Sequence, residues 1–394
     1  MRLPDDNEIR AVCAERVFDG RHWREDAAVL IKGARIRDIV AAAAVPRGCR
    51  AHRLPSGAIL APGFIDLQVN GGGGVLLNDD PSPQAMQAIA HAHRRLGTTA
   101  LLPTLISDTR DKARAAIASA RAIAGRDGVL GLHLEGPFLN PARAGVHDRA
   151  RLAAAEMEDL EWLRALGQAG RSMITLAPEC VPEGFIRALV EAGIRVSAGH
   201  SEASAAIVLR AIGEGLSGVT HLFNAMPPFQ GRAPGLVGTA LAERALTAGL
   251  IVDGFHVDSV SVRAAFRAKG AEGIALVSDA MPTVGSDETE FELTGRKIFL
   301  RDGRLVTEEG TLAGAHLDLA SAVRNAVTRC GIPLDDALRA ASHTPAKFLG
   351  LDHERGALAA NARADFVALD ENLRVTVCWV DGREVTDAAT HVPR

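Results

Sequence analysis

Residues 60–74 read LAPGFIDLQVNGGGG. Successive side chains of a strand point to opposite faces. Asp66, Gln68 and Asn70 therefore share one face, and Leu67 and Val69 the other. A strand that turns one acid and two amides to one side has something polar to hold, or has lost something it once held. The glycines behind it, Gly71–Gly74, form neither G-x-G-x-x-G with a helix after it nor a loop carrying a P-loop lysine. An open, doubly wound nucleotide-binding sheet is accordingly the lesser reading of the chain.

Beyond the glycines the chain settles into a rhythm. Seven more short apolar runs succeed the first: "TTALLPTLIS", "VLGLHLEGP", "SMITLAPE", "IRVSAGH", "GVTHLFNA", "TAGLIVDGFH" and "IALVSDAM". Between most of them lie Ala/Arg-rich helical segments stopped by glycine, such as "SDTRDKARAAIASARAIAG" and "SEASAAIVLRAIGEG". Eightfold strand–helix alternation predicts an α/β chain with a (β/α)8 barrel, here over residues 59–348. After the eighth run, "EFELTGRKIFLRDGRLVTEEG" alternates around an Asp302-Gly303 turn, which predicts an inserted β-hairpin near 289–310. The helix due there is expected near 317–330. Residues 1–58 and 349–394 read as short strands around Asp-Gly turns at 19–20 and 381–382. They predict a small β-sandwich domain built from both chain ends.

Bulk composition excludes several classes of function. Of 394 residues, 44 are basic and 48 acidic, for a net charge of −4, and no basic cluster appears. A nucleic-acid partner is not expected. No apolar run reaches the length of a membrane span, and "MRLPDDNEIR" lacks the apolar core of a secretory signal. The cysteines at 13, 49, 180, 330 and 378 are scattered without C-x-x-C spacing. They read as reduced thiols of a cytoplasmic protein rather than as a metal site.

The polar residues of interest end the predicted strands. Glu135 ends the third, His200 the fifth, His221 the sixth and Asp279 the eighth, and His256 follows the seventh. In such barrels that rim carries the active site. One Glu and two His can hold a divalent metal while leaving a position open, and Asp279 is then placed to move a proton. Taken alone, each is an ordinary hydrogen-bonded strand-end residue; their recurrence at equivalent barrel positions raises the functional reading. His91 and His93 have H-x-H spacing but sit in a helical stretch, where two residues subtend about 200° and the rings diverge. His133 shares a face with Glu135 and reads as support beneath the site. Asp253 and His147 are loop candidates, and Cys180 reads as structural.

Six segments carry a resemblance: "PGFIDLQVNGGGG", "GLHLEGPFLNPARAGVHD", "SAGHSEAS", "THLFNAMPPFQGRAPGLVG", "IVDGFHVD" and "LVSDAMP". In that order they resemble the N-acetylglucosamine-6-phosphate deacetylases of the amidohydrolase superfamily. The wider superfamily has H-x-H where this chain has Gln68-x-Asn70, and amides are poor zinc ligands beside imidazole. The resemblance thus implies one divalent metal per chain, zinc by preference with iron, manganese or cobalt as other occupants, held by Glu135, His200 and His221. Gln68 and Asn70 become contacts of water or of a second metal. The reaction implied is hydrolysis of the acetamido group of N-acetylglucosamine 6-phosphate by metal-activated water, with Asp279 as general base and acid. His147 is implied at the sugar or acyl oxygen, and Asn224, Ala225, Arg232 and His256 at the sugar phosphate. A homodimer is implied, with Arg232 and His256 acting across its interface. Met281 departs from the smaller residue that relatives often carry there. The alternatives are an N-acetylgalactosamine-6-phosphate deacetylase, a cyclic-amide hydrolase, which would want the H-x-H pair and a bridging lysine, and a non-catalytic barrel scaffold.

Overall fold

The structure, a computed structural model, describes residues 8–385. The head of "MRLPDDNEIR" and the tail of the predicted strand "REVTD" lie outside the described residues. Eight parallel strands stand side by side in sequence order: β1 (Phe64–Val69), β2 (Thr98–Ile106), β3 (His133–Glu135), β4 (Met173–Leu176), β5 (Arg195–Ala198), β6 (Gly218–Val219), β7 (Thr247–Leu250) and β8 (Ile274–Leu276). The ring closes just past β8. Val69 bridges Ala280 in parallel. The Asp279 N–H donates to Gln68 O at 3.0 Å and the Asn70 N–H to Ala280 O at 2.9 Å. Each of the eight apolar runs supplies one barrel strand.

The sequence makes these elements for plain reasons. All nine residues of β2 are buried, because a barrel strand packs against the interior on one face and against helices on the other. The helix Pro83–Arg94 starts at Ser82, whose side chain accepts the Ala85 N–H, with proline in its first turn. It buries Met86, Ile89, Ala90 and His93, spaced three and four apart. Helix Arg110–Ile123 is capped in the same way by Thr109 and buries Ala113, Ala116, Ile117 and Ala120. These helix faces and the strands share one apolar core.

The second body is a β domain drawn from both ends of the chain, and its strands form one eight-stranded sheet. Phe366–Leu369 lies between Val375–Val380 and Ile59–Pro62, antiparallel to both. Ile59–Pro62, expected to open the barrel, instead pairs with Arg16 and Val17 in this sheet, and the chain crosses to the barrel at Pro62-Gly63. The insertion after β8 also differs from expectation. It is a three-stranded antiparallel meander, Glu290–Leu293, Arg296–Arg301 and Arg304–Thr307, not a hairpin. The extra turn is Thr294-Gly295, both at positive φ (51° and 78°). A β-branched residue is a poor signal for that conformation. The delayed helix is Leu319–Thr328.

Candidate active site

The rim at the C-terminal ends of the strands brings the strand-end residues together. Glu135 closes β3. His200 and His221 follow β5 and β6 by two residues each, and Asp279 follows β8 by three. His200, His221 and Asp279 all hold left-handed backbone, with φ of 50°, 34° and 51°. Such conformations cost non-glycine residues about 1–3 kcal/mol each. Their clustering at one rim marks a place where side-chain direction has taken precedence over backbone comfort.

Three ligand atoms converge. His200 Nε2 and His221 Nε2 lie 3.2 and 3.0 Å from Glu135 Oε1, and 3.1 Å from each other. Among the described residues this is the one group of three or more potential metal ligands, all within 4.8 Å of one another. The fit to a metal can be judged from the ring nitrogens. His200 Nδ1 donates to Arg143 O at 2.7 Å. A ring so fixed turns Nε2 toward the other two groups, the orientation a metal ligand needs. Burial alone would raise Glu135. The hydrogen bonds of His200 and His221 outweigh it and hold the carboxyl well below its ordinary range. A carboxylate and two imidazoles turned to one point suit a divalent cation with nitrogen and oxygen preference.

The polar face of β1 finds its partners here. Gln68 Nε2 donates to Glu135 Oε2 at 3.2 Å and to Asp279 Oδ1 at 3.1 Å. Asn70 Nδ2 donates to Asp279 Oδ1 at 2.7 Å. Asp66 Oδ1 accepts the Gln68 and Ser278 N–H groups, each at 3.2 Å. The strand thus grips β8 and orients both carboxylates. The two amides offer N–H groups to those carboxylates, where a superfamily H-x-H pair would offer lone pairs. Asp279 is pushed up to about 6 by burial and by the Glu135 charge.

A cavity of about 370 Å³ opens above these groups, within the range of small-molecule sites. His147, Asn224, Ala225 and His256 line it together with the triad, Asp279 and Asn70. His147 Nδ1 accepts the Ser107 N–H at 3.3 Å and lies 2.9 Å from Ser107 Oγ. That leaves Nε2 as the ring's N–H. Burial, then His200, lowers His147 to about 3, so it stays neutral. His256 Nδ1 lies 2.6 Å from Asp253 Oδ2, and Asp253 Oδ1 accepts the Phe255 and His256 N–H groups.

Other residues fall elsewhere. Arg232 is exposed and lies outside the cavity lining. His93, from the helical H-x-H pair, is buried with Nε2 2.9 Å from Gly71 O. His133 sits between Thr104 Oγ1 (3.2 Å) and Thr175 Oγ1 (2.7 Å) inside the barrel. Cys180 is pushed up to about 11 by burial, then by Glu179, as an unreactive thiol is. Sequence reading misses Ser107, although it ends an apolar strand as the other site residues do. It also misses Arg143, Thr311 and Leu312, loop residues of the cavity that no local pattern distinguishes.

Comparison with known proteins bears on this geometry. The model of the Amidohydrolase family matches residues 59–385. The chain belongs to the amidohydrolase family. It is 44% identical over 334 residues to an N-acetylgalactosamine-6-phosphate deacetylase of Shewanella sp. (strain ANA-3), covering 84% of each chain. It is 36% identical over 348 residues to the human N-acetylglucosamine-6-phosphate deacetylase, again with 84% of each covered. The crystal structure of the N-acetylglucosamine-6-phosphate deacetylase from Pasteurella multocida superposes with a TM-score of 0.91 at 34% identity, covering 96% of this chain and all of that one. Within the amidohydrolase family, then, this chain is similar to amino-sugar phosphate deacetylases over most of its length. Among its described residues, no helix is long and apolar enough to cross a membrane.

Proposed function

We propose that this amidohydrolase removes the acetyl group of N-acetylglucosamine 6-phosphate, yielding glucosamine 6-phosphate and acetate. The observation that carries the reading is the convergence of Glu135, His200 and His221 beside Asp279 at the floor of one cavity. The three would hold one divalent ion, zinc by their donor set, which when bound polarises the acyl carbonyl and acidifies water. Asp279 takes the proton from the attacking water. Its Oδ1 is occupied by Gln68 and Asn70, so Oδ2 is the atom that moves it. As the C–N bond breaks, Asp279 returns the proton to the departing nitrogen, and the amine leaves neutral. His147 donates Nε2–H to the acyl oxygen as negative charge builds there.

His256, oriented by Asp253, and the Asn224–Ala225 segment receive the sugar phosphate. Arg232 completes that site from a second copy of the chain. Its exposure outside the cavity of its own subunit supports this homodimeric arrangement. The five cysteines are unpaired, which suits a cytoplasmic enzyme.

A second reading, deacetylation of N-acetylgalactosamine 6-phosphate, is favoured by the 44% identity to the Shewanella enzyme. Assay of both epimers side by side, with metal quantified, decides between them. A metal-loaded protein that releases acetate from neither would overturn both.

A further inference from the structure

The meander inserted after β8 has no part in the chemistry above, yet its apolar face packs behind residues that line the cavity. Each of its strands contributes one buried residue, Leu293, Ile298 and Leu305, to a cluster separate from the barrel core. That cluster contains Ile106 and Met281, and Val146 packs against it. These three also line the cavity, beside Leu312 of the loop that follows the meander. The cavity therefore has one apolar wall, opposite in character to its polar floor, and the insertion backs it.

The wall is fixed in place. The Ala315 N–H donates to Asp279 O at 2.9 Å and the Met281 N–H to Ala315 O at 3.3 Å. The proton-transfer residue and the wall are thus strapped to the same stretch of backbone. Gly314, at φ 63°, lets that stretch pass: a Cβ there would stand 2.5 Å from Met281 Cε and 2.6 Å from its Cγ. Met281 is 2% exposed and hemmed in from behind.

We infer that the insertion is an acyl-length gauge, with Met281 as its contact surface. The inference rests on the deacetylase reading. In the tetrahedral adduct the acyl carbon has four substituents. The attacking oxygen faces Asp279, the oxyanion faces His147, and the nitrogen leads to the sugar. The remaining substituent, the acyl chain, is left with the apolar wall. A rigid wall anchored so close in sequence to Asp279 has room for a methyl group and resists longer chains. Added methylenes in a filled apolar pocket typically cost about 10-fold or more each in kcat/KM.

The test is kcat/KM for N-formyl, N-acetyl, N-propionyl and N-butyryl hexosamine 6-phosphates, on the metal-loaded parent and on Met281→Ala. The parent is expected to fall about 100-fold or more from acetyl to butyryl. Met281→Ala should bring that ratio to about 10-fold or less, chiefly through gain on the longer substrates. If Met281→Ala does not fold, as judged by its thermal transition, Met281→Val is read against the same profile. A parent that takes butyryl as well as acetyl, or a folded variant with the parent's acyl profile, overturns the inference. Failure of the parent on every acyl group is a different result, and it removes the deacetylase reading itself.

Discussion

Asn70 Nδ2 stands 2.7 Å from Asp279 Oδ1, the shorter of the two amide contacts that hold this carboxylate. Asp279 is raised to about 6 by burial and by Glu135, with Asn70 acting in the opposite direction. Asn70→Ala removes a donor that favours the ionised form. The Asp279 pKa must then rise, and the acid limb of kcat/KM, which requires ionised Asp279, should move to higher pH. An acid limb unchanged within error would mean that the limb reports another group.

Asp279→Asn keeps the side-chain shape, and asparagine tolerates the left-handed backbone found there. It cannot accept the proton. Since one residue serves both halves of the reaction, kcat should drop by about 10⁴, the upper end for general acid–base catalysis. Metal content should match the parent, because Glu135, His200 and His221 remain. Near-normal kcat with metal retained would assign the proton to another residue.

His200→Ala and His221→Ala should each lose both the tightly bound ion and the activity. Elemental analysis of the purified parent should return about one divalent ion per chain. Two tight equivalents in the parent, or full metal in both variants, would contradict the assigned ligands.

Arg232→Ala should raise KM roughly 10-fold or more and leave kcat within a few-fold, since a charge-assisted phosphate contact is made in ground and transition states alike. The interface assignment has its own readout. Mixing Arg232→Ala, about tenfold down at low substrate, with Asp279→Asn, nearly silent, should bring activity to about a quarter of parental, since half the dimers are mixed and each of those has one intact site of its two. No recovery after subunit exchange would put Arg232 in its own subunit's site or in none.

Asp66 is buried, with Oδ2 unpartnered, and burial pushes it up to about 7. A carboxyl raised on folding opposes folding once ionised. Its penalty grows as pH rises from the ordinary value near 4 through 7. Asp66→Asn keeps Oδ1 for the Gln68 and Ser278 N–H groups and cannot ionise. Its stability relative to the parent should improve by about 2–3 kcal/mol between pH 5 and pH 8. Thermal unfolding of the metal-free proteins at both pH values measures it; a constant difference would show that Asp66 does not titrate in the fold.

The barrel is legible because each of its strands is a short apolar run, and because Glu135, His200, His221 and Asp279 end those runs. A polar residue there is conspicuous against its neighbours. Ile59–Pro62 reads wrongly because buried strands of either sheet look alike one residue at a time, and only Pro62-Gly63 betrays the crossing. The first strand of the meander, Glu290–Leu293, is hidden by Thr294, whose branched side chain gives no hint of a tight turn. Thr311 and Leu312 reach the cavity through the path of a loop, which no local periodicity encodes. Arg232 is picked out by resemblance alone, since an exposed arginine has no local signature of function.

The sheet assembled from both ends of the chain also sets an order of events during synthesis. Ile59–Pro62 is made early and has only Arg16 and Val17 for a neighbour until Phe366–Leu369 leaves the ribosome. For most of translation it is therefore an apolar strand with one open edge, beside a barrel that is acquiring its own strands. Open edges of that kind are where chains pair wrongly. The late hairpin Phe366–Leu369/Val375–Val380 acts as a clasp, and a nascent chain stalled short of residue 366 keeps that edge open.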